Sequence, residues 1–107
     1  MFLVPPGPPR DVNANKTCNE ITLMWKHPLN NGGMDIDSYI ITVHPKDEQP
    51  HVETVEGSIV NYKIGYNFKP KTSYELHIKA RSKAGLGAEE TLMVETDEFC
   101  EYISLLE

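Results

Sequence analysis

No stretch of this chain approaches the ~18 consecutive apolar residues that cross a bilayer as a helix. Cysteine is scarce. Two residues, Cys18 and Cys100, are too few for a disulfide-stapled mini-protein and too few for a four-ligand zinc site. No Lys or Arg follows Lys83, whereas residues 84–107 hold seven acids; the first 83 residues carry ten bases against nine acids. An acidic end repels phosphate backbones and anionic lipid surfaces, which argues against nucleic acid as a partner. The start, Met1-Phe2-Leu3-Val4, lacks the basic residue and the apolar stretch of about 7–15 residues of a secretory signal. No Gly-rich loop stands between a strand and a helix, and no nucleophile elbow or His-Glu-x-x-His pair occurs. Neither a cofactor nor a small-molecule substrate is expected.

What is present is a short chain of 107 residues, enough for one domain with its own core. Its 39% hydrophobic content is arranged in short alternating runs, so disorder is not expected. Ile21, Leu23 and Trp25 alternate with Thr22, Met24 and Lys26. Tyr39, Ile41 and Val43 share one face of Ser38–His44, and Tyr74, Leu76, Ile78 and Ala80 share one face of the clearest segment. Weaker runs lie around Val12 and Ala14, at Val52–Val55, at Ile59–Tyr66 and at Thr91–Thr96. Period-two alternation puts successive side chains on opposite faces of a strand. Asn30-Asn31-Gly32-Gly33 and Ala84-Gly85-Leu86-Gly87 read as turns, because Asn and Gly tolerate positive φ. Seven short strands, regularly spaced turns and no helix of ordinary length predict an all-β, antiparallel sandwich. Pro5-Pro6-Gly7-Pro8-Pro9 reads as a polyproline spacer, so residues 1–7 are expected to be a linker in a longer protein.

The spacing of these blocks resembles the fibronectin type III family. Five blocks carry the likeness: Pro8 to Val12; Ile21 to Trp25; Gly32-Gly33 with Tyr39 beyond; Lys69 to Tyr74; and Ala80 to Gly87. It covers roughly residues 5–97 and sets the domain at 8–97, with 98–107 as a tail. The resemblance implies a seven-stranded immunoglobulin-like sandwich, with Trp25, Tyr39 and Tyr74 meeting inside it. It also implies that the Tyr74 hydroxyl bonds backbone upstream near Pro70. Phe68 stands where the family usually has Leu. Ile64 precedes Phe68 by four rather than three, so a bulge or shifted turn is expected between Gly65 and Asn67. Arg-Gly-Asp and the Trp-Ser-x-Trp-Ser pattern of cytokine receptors are both absent.

Strand directions then place the cysteines. The first and seventh strands of such a sandwich run in the same sense, so Cys18, just after the first, and Cys100, just after the seventh, reach one pole. A Cys18–Cys100 disulfide is expected; two free thiols in a reducing compartment are the alternative. Asn15-Lys16-Thr17 matches the glycosylation acceptor pattern, against the competing reading of a chance triplet. His44 and His51 flank one loop and are placed to approach each other, but no Cys or second carboxylate completes a metal site. In the tail, Phe99, Tyr102, Ile103 and Leu106 have helical spacing, which suggests a short turn.

The function expected is that of a non-catalytic spacer and docking module in an extracellular adhesion or receptor protein. Its partners would be other protein domains, and the isolated domain is expected to be a monomer. Asn31 and Met34 in one loop, and Asp47 and Glu48 in another, are the candidate partner-facing residues. The alternative is an intracellular repeat of a giant muscle filament-type protein, with free thiols and no glycan.

Overall fold

A computed structural model describes residues 3–100. The alternating segments become seven strands: β1 (Arg10–Lys16), β2 (Ile21–Lys26), β3 (Ser38–His44), β4 (His51–Glu56), β5 (Asn61–Lys63), β6 (Ser73–Ser82) and β7 (Gly85–Glu95). They form two antiparallel sheets, β1-β2-β5 and β4-β3-β6-β7, and no helix occurs among the described residues. The inner faces carry the period-two residues. Ile21, Leu23 and Trp25 of β2 join Tyr39, Ile41 and Val43 of β3 and Leu76, Ile78 and Ala80 of β6 in one core, each at most 4% exposed. Full burial of a large aliphatic side chain is worth ~1.5–3 kcal/mol, so this three-strand cluster supplies much of the stability.

Trp25 and Tyr39 meet edge to face, with ring centroids 5.2 Å apart. Tyr74 is buried in the same core cluster but its ring does not meet theirs. Tyr39 pairs with Ala80, and Tyr74 lies six residues away along β6. At the rise of a strand that is about 20 Å. Tyr74 instead packs on Phe68 at 4.9 Å and Tyr66 at 6.0 Å. Its hydroxyl accepts the Lys69 N–H at 2.9 Å, which ties the segment before β6 to the strand itself.

The outer strands depart most from the alternation. β5 covers only Asn61–Lys63, because the Gly65 N–H bonds the Glu53 carboxylate at 2.8 Å and draws the chain out of the sheet. The shifted turn that follows is closed by Phe68 N–H on the Tyr66 carbonyl at 3.0 Å. β7 begins at Gly85, not Thr91, and the turn shrinks to Lys83 and Ala84. The register shifts instead between Lys79 and Arg81, and again in β1 between Arg10 and Asn13, where Asp11 has φ 48°.

The proline-rich start is not a free spacer. Val4 N–H bonds the Gly32 carbonyl at 3.2 Å, Gly7 N–H bonds Asn30 at 2.8 Å, and Ala88 N–H bonds Pro6 at 3.2 Å. Residues 4–7 are therefore laid along the sandwich, and Pro9 is fully buried. A Cβ on Gly32 would run into the Val4 carbonyl, and one on Gly87 into the Pro6 carbonyl. The two turn glycines are thus also the seats of this strap. The helical turn expected around Phe99 to Leu106 lies mostly outside the described residues; Phe99 itself is 72% exposed.

Candidate functional site

Antiparallel strands distribute the connections between two poles. The strap, the β2–β3 loop and the β6–β7 turn lie at the N-terminal pole; the β1–β2 turn, the β3–β4 loop, residues 64–72 and residues 96–100 lie at the C-terminal pole.

At the C-terminal pole the Thr17 hydroxyl accepts the N–H groups of Asn19 and Glu20 at 3.3 and 3.0 Å, which closes the turn around a buried Cys18. The chain leaving β7 is then held against this turn. Asp97 N–H bonds the Thr17 carbonyl at 3.0 Å, its carboxylate pairs with Lys16, and its carbonyl accepts the Lys71 N–H at 3.0 Å. Thr96, buried, bonds the backbone of Lys69 and Thr72. These contacts carry Cys100 to Cys18 at disulfide distance, with Cα atoms 4.6 Å apart. Beside them is an open hollow of about 530 Å³ lined by Thr17, Asp97, Glu98, Phe99 and Cys100. Asn15 lies within β1, opposite Thr22, and not in the turn; its side chain is exposed.

The two loops singled out for docking lie at opposite ends of the molecule. Asn31, exposed, and Met34, half-buried, are at the N-terminal pole, where Asn30 and Asn31 each accept a glycine N–H at 2.8 Å. Exposed Leu3, Val4, Leu29 and Leu86 belong to the same pole, with Leu29 85% exposed. Asp47, exposed with φ 62°, and Glu48 are at the C-terminal pole. Glu48 is engaged within the domain: it accepts the Tyr66 hydroxyl at 2.8 Å and lies 3.9 Å from Lys69. Burial and this carboxylate push the Tyr66 pKa up to about 12.

The histidines separate instead of meeting. His51 pairs with inward-facing Val43, while His44 is one residue further along and so on the outer face. His44 packs on His77 of β6 at 4.4 Å. The ring nitrogens of His77 bond Glu75 and Glu89. Burial would lower the His77 pKa, but the two carboxylates outweigh it and raise the value. No group of three or more His, Cys, Asp or Glu side chains is arranged to hold a metal among the described residues.

Sequence reasoning missed Glu53. It points inward from β4, an edge strand, and its side chain is 15% exposed. One oxygen accepts His51 at 2.6 Å and Gly65 N–H at 2.8 Å; the other accepts the Tyr62 hydroxyl. It thereby bridges the two sheets, since Tyr62 belongs to β5. An inward charge also discourages a foreign strand from adding at this edge. The available signal was a Glu between Val52 and Val55 in one of the weaker runs. Burial pushes the Glu53 pKa up, but the bonds from Tyr62, His51 and Gly65 win and lower it. A carboxyl lowered in the folded state adds stability above its unfolded value near ~4.3, and that stability is lost as the pH falls through the lower folded value. Glu53→Ala should cost about 1–3 kcal/mol at pH 7, because three donors lose a charged acceptor at a site that water partly reaches. Urea unfolding at pH 7 and pH 3 checks this: the gap between parent and variant should narrow at pH 3, and an equal gap at both would refute the ionic role.

A family model described as "Fibronectin type III domain" matches residues 7–97. Titin of Drosophila melanogaster is 32% identical over 89 residues, covering 80% of this chain and, to the nearest per cent, 0% of titin. Protein sidekick-1 of Homo sapiens is 30% identical over 86 residues, covering 77% of this chain and 4% of that protein. The crystal structure of chicken CNTN1 FN1-FN3 domains superposes with a TM-score of 0.74 at 23% identity, over 87% of this chain and 33% of that one, which shows the shared fold. The chain thus spans only a small part of these longer proteins.

Proposed function

The chain belongs to the fibronectin type III family, and from that premise we propose that it is a non-catalytic extracellular module of a multidomain adhesion or receptor protein. It sets the distance and angle between neighbouring domains and offers its poles to other proteins. The observation that carries the reading is the approach of Cys18 and Cys100 across 82 residues of chain. Thiols placed so closely by the fold oxidise in a secretory compartment and stay reduced in the cytosol. An exposed Asn15 in an acceptor triplet belongs to the same compartment. The hydrogen-bonded strap makes the N-terminal junction stiff, as a spacer requires.

The second reading is an intracellular structural repeat with free thiols and a bare Asn15. One experiment separates the two. The chain is made through a secretory route, and its intact mass is measured with and without a thiol reductant. The extracellular reading expects a protein lighter by two hydrogens before reduction, and a glycan that vanishes in Asn15→Gln. Two free thiols in such material would favour the intracellular reading.

A further inference from the structure

β1 runs from one pole to the other, and the turn after it ends at Cys18, opposite Cys100. We infer that a Cys18–Cys100 bond diverts tension around the core and makes the domain an almost inextensible strut, whose length is released only by reduction. The inference rests on the bond assigned under the proposed function.

The argument is one of covalent connectivity. A pull applied between the ends enters through the strap, passes along β1 to Cys18, crosses to Cys100 and leaves through the tail. Residues 19–99, which include β2 to β7 and the whole buried core cluster, lie on a side loop that the covalent path bypasses, loaded only through the hydrogen bonds of the strap and β1. The loaded path from Val4 to Cys18 is short, and its strand portion is already extended. A strand rises ~3.3 Å per residue against a limit of ~3.6 Å, so little slack remains beyond the kink at Asp11. The strap residues are held at Asn30, Gly32 and Ala88, and these bonds are the first to feel the load.

Without the bond the same pull acts on everything. The gap between residues 18 and 100, 4.6 Å between Cα atoms in the folded domain, then opens to the contour of 82 residues. At ~3.3–3.6 Å per residue that is roughly 280 Å. Reduction needs a thiol co-reactant. A thiolate attacks one sulfur and breaks the S–S bond to give a mixed disulfide and one cysteine thiolate. A second thiol of the reductant releases the other cysteine, so two electrons and two protons pass to the protein and the reductant leaves as a disulfide. Cys100 is exposed and borders the open hollow, so the attack does not require the core to unfold first.

Single-molecule pulling of the full chain from both ends tests this, with the bond checked by intact mass beforehand. Without reductant the oxidised chain should give no step longer than about 20 Å, by the slack argument above. With a dithiol reductant each molecule should lengthen in one step of roughly 280 Å, at a rate that rises with reductant concentration. The double variant Cys18→Ser/Cys100→Ser should give the long step with no reductant. In mass-verified oxidised chains, a step well above about 20 Å before any reduction, or a long-step rate independent of reductant concentration, would overturn the strut. Free thiols in the starting material would instead overturn the bond, so the two failures are told apart.

Discussion

Removing both cysteines, as Cys18→Ser/Cys100→Ser, should lower the unfolding free energy of the oxidised protein by about 4–5 kcal/mol. The loop closed by the bond spans 82 positions. In the chain-entropy account, a cross-link over a loop of that size withdraws about that much entropy from the unfolded ensemble. For a domain of this length each kcal/mol moves Tm by ~4–8 °C, so a fall of roughly 15–40 °C is expected. Calorimetry of the parent, the reduced parent and the variant provides the check. The reduced parent should resemble the variant, because the effect belongs to the covalent bond and not to the packing of the sulfurs. Equal stability of oxidised and reduced parent would show that no such bond forms. The bonds of Asp97 and Thr96 at the same pole should survive in the variant, since they are made by backbone and side-chain groups independent of sulfur.

Trp25→Ala should cost about 3–5 kcal/mol, the range for truncating a buried aromatic whose neighbours cannot close the gap. Trp25 is 4% exposed and lies edge to face with Tyr39, whose ring is also stacked near His27. The Tyr39 hydroxyl bonds His27 at 2.6 Å, so Tyr39 cannot swing into the vacated space without breaking that contact. Burial raises the Tyr39 pKa, against a smaller lowering from the adjacent indole. Yet the indole N–H itself finds no hydrogen-bond partner among the described residues. A buried donor without a partner costs stability. It follows that Trp25→Phe should lose markedly less than Trp25→Ala, because it keeps a ring and removes an unpaired donor. Urea unfolding followed by circular dichroism measures both. A loss under about 1 kcal/mol for Trp25→Ala would mean that the ring does not fill the core as described.

The core strands were legible because their alternation is strict and local. Each residue of β2, β3 and β6 has its burial set by its own neighbours two positions away, which a linear reading can follow. The limits of the outer strands were not, because they are set by partners far along the chain. β7 starts at Gly85 because Gly87 accommodates the Pro6 carbonyl and Ala88 bonds it, more than eighty positions upstream in sequence. β5 stops at Lys63 because Glu53 captures Gly65. His44 and His51, close in sequence, are parted by a one-position difference in register that puts them on opposite faces. The Cys18–Cys100 approach stands between these cases. It needed only the directions of two strands that the alternation had already outlined.

By itself, the order of apolar and polar residues determined an antiparallel sandwich, the strands that make its centre, and the pole to which each connection belongs. These are consequences of period two and of chain direction, and both are written in one dimension. Only the folded molecule decided that the proline-rich start is a bonded strap and that Glu53 joins the two sheets from inside. Those features depend on carbonyls, carboxylates and ring nitrogens meeting across tens of residues. Such meetings follow from the register and close approach of packed sheets, which no local pattern encodes.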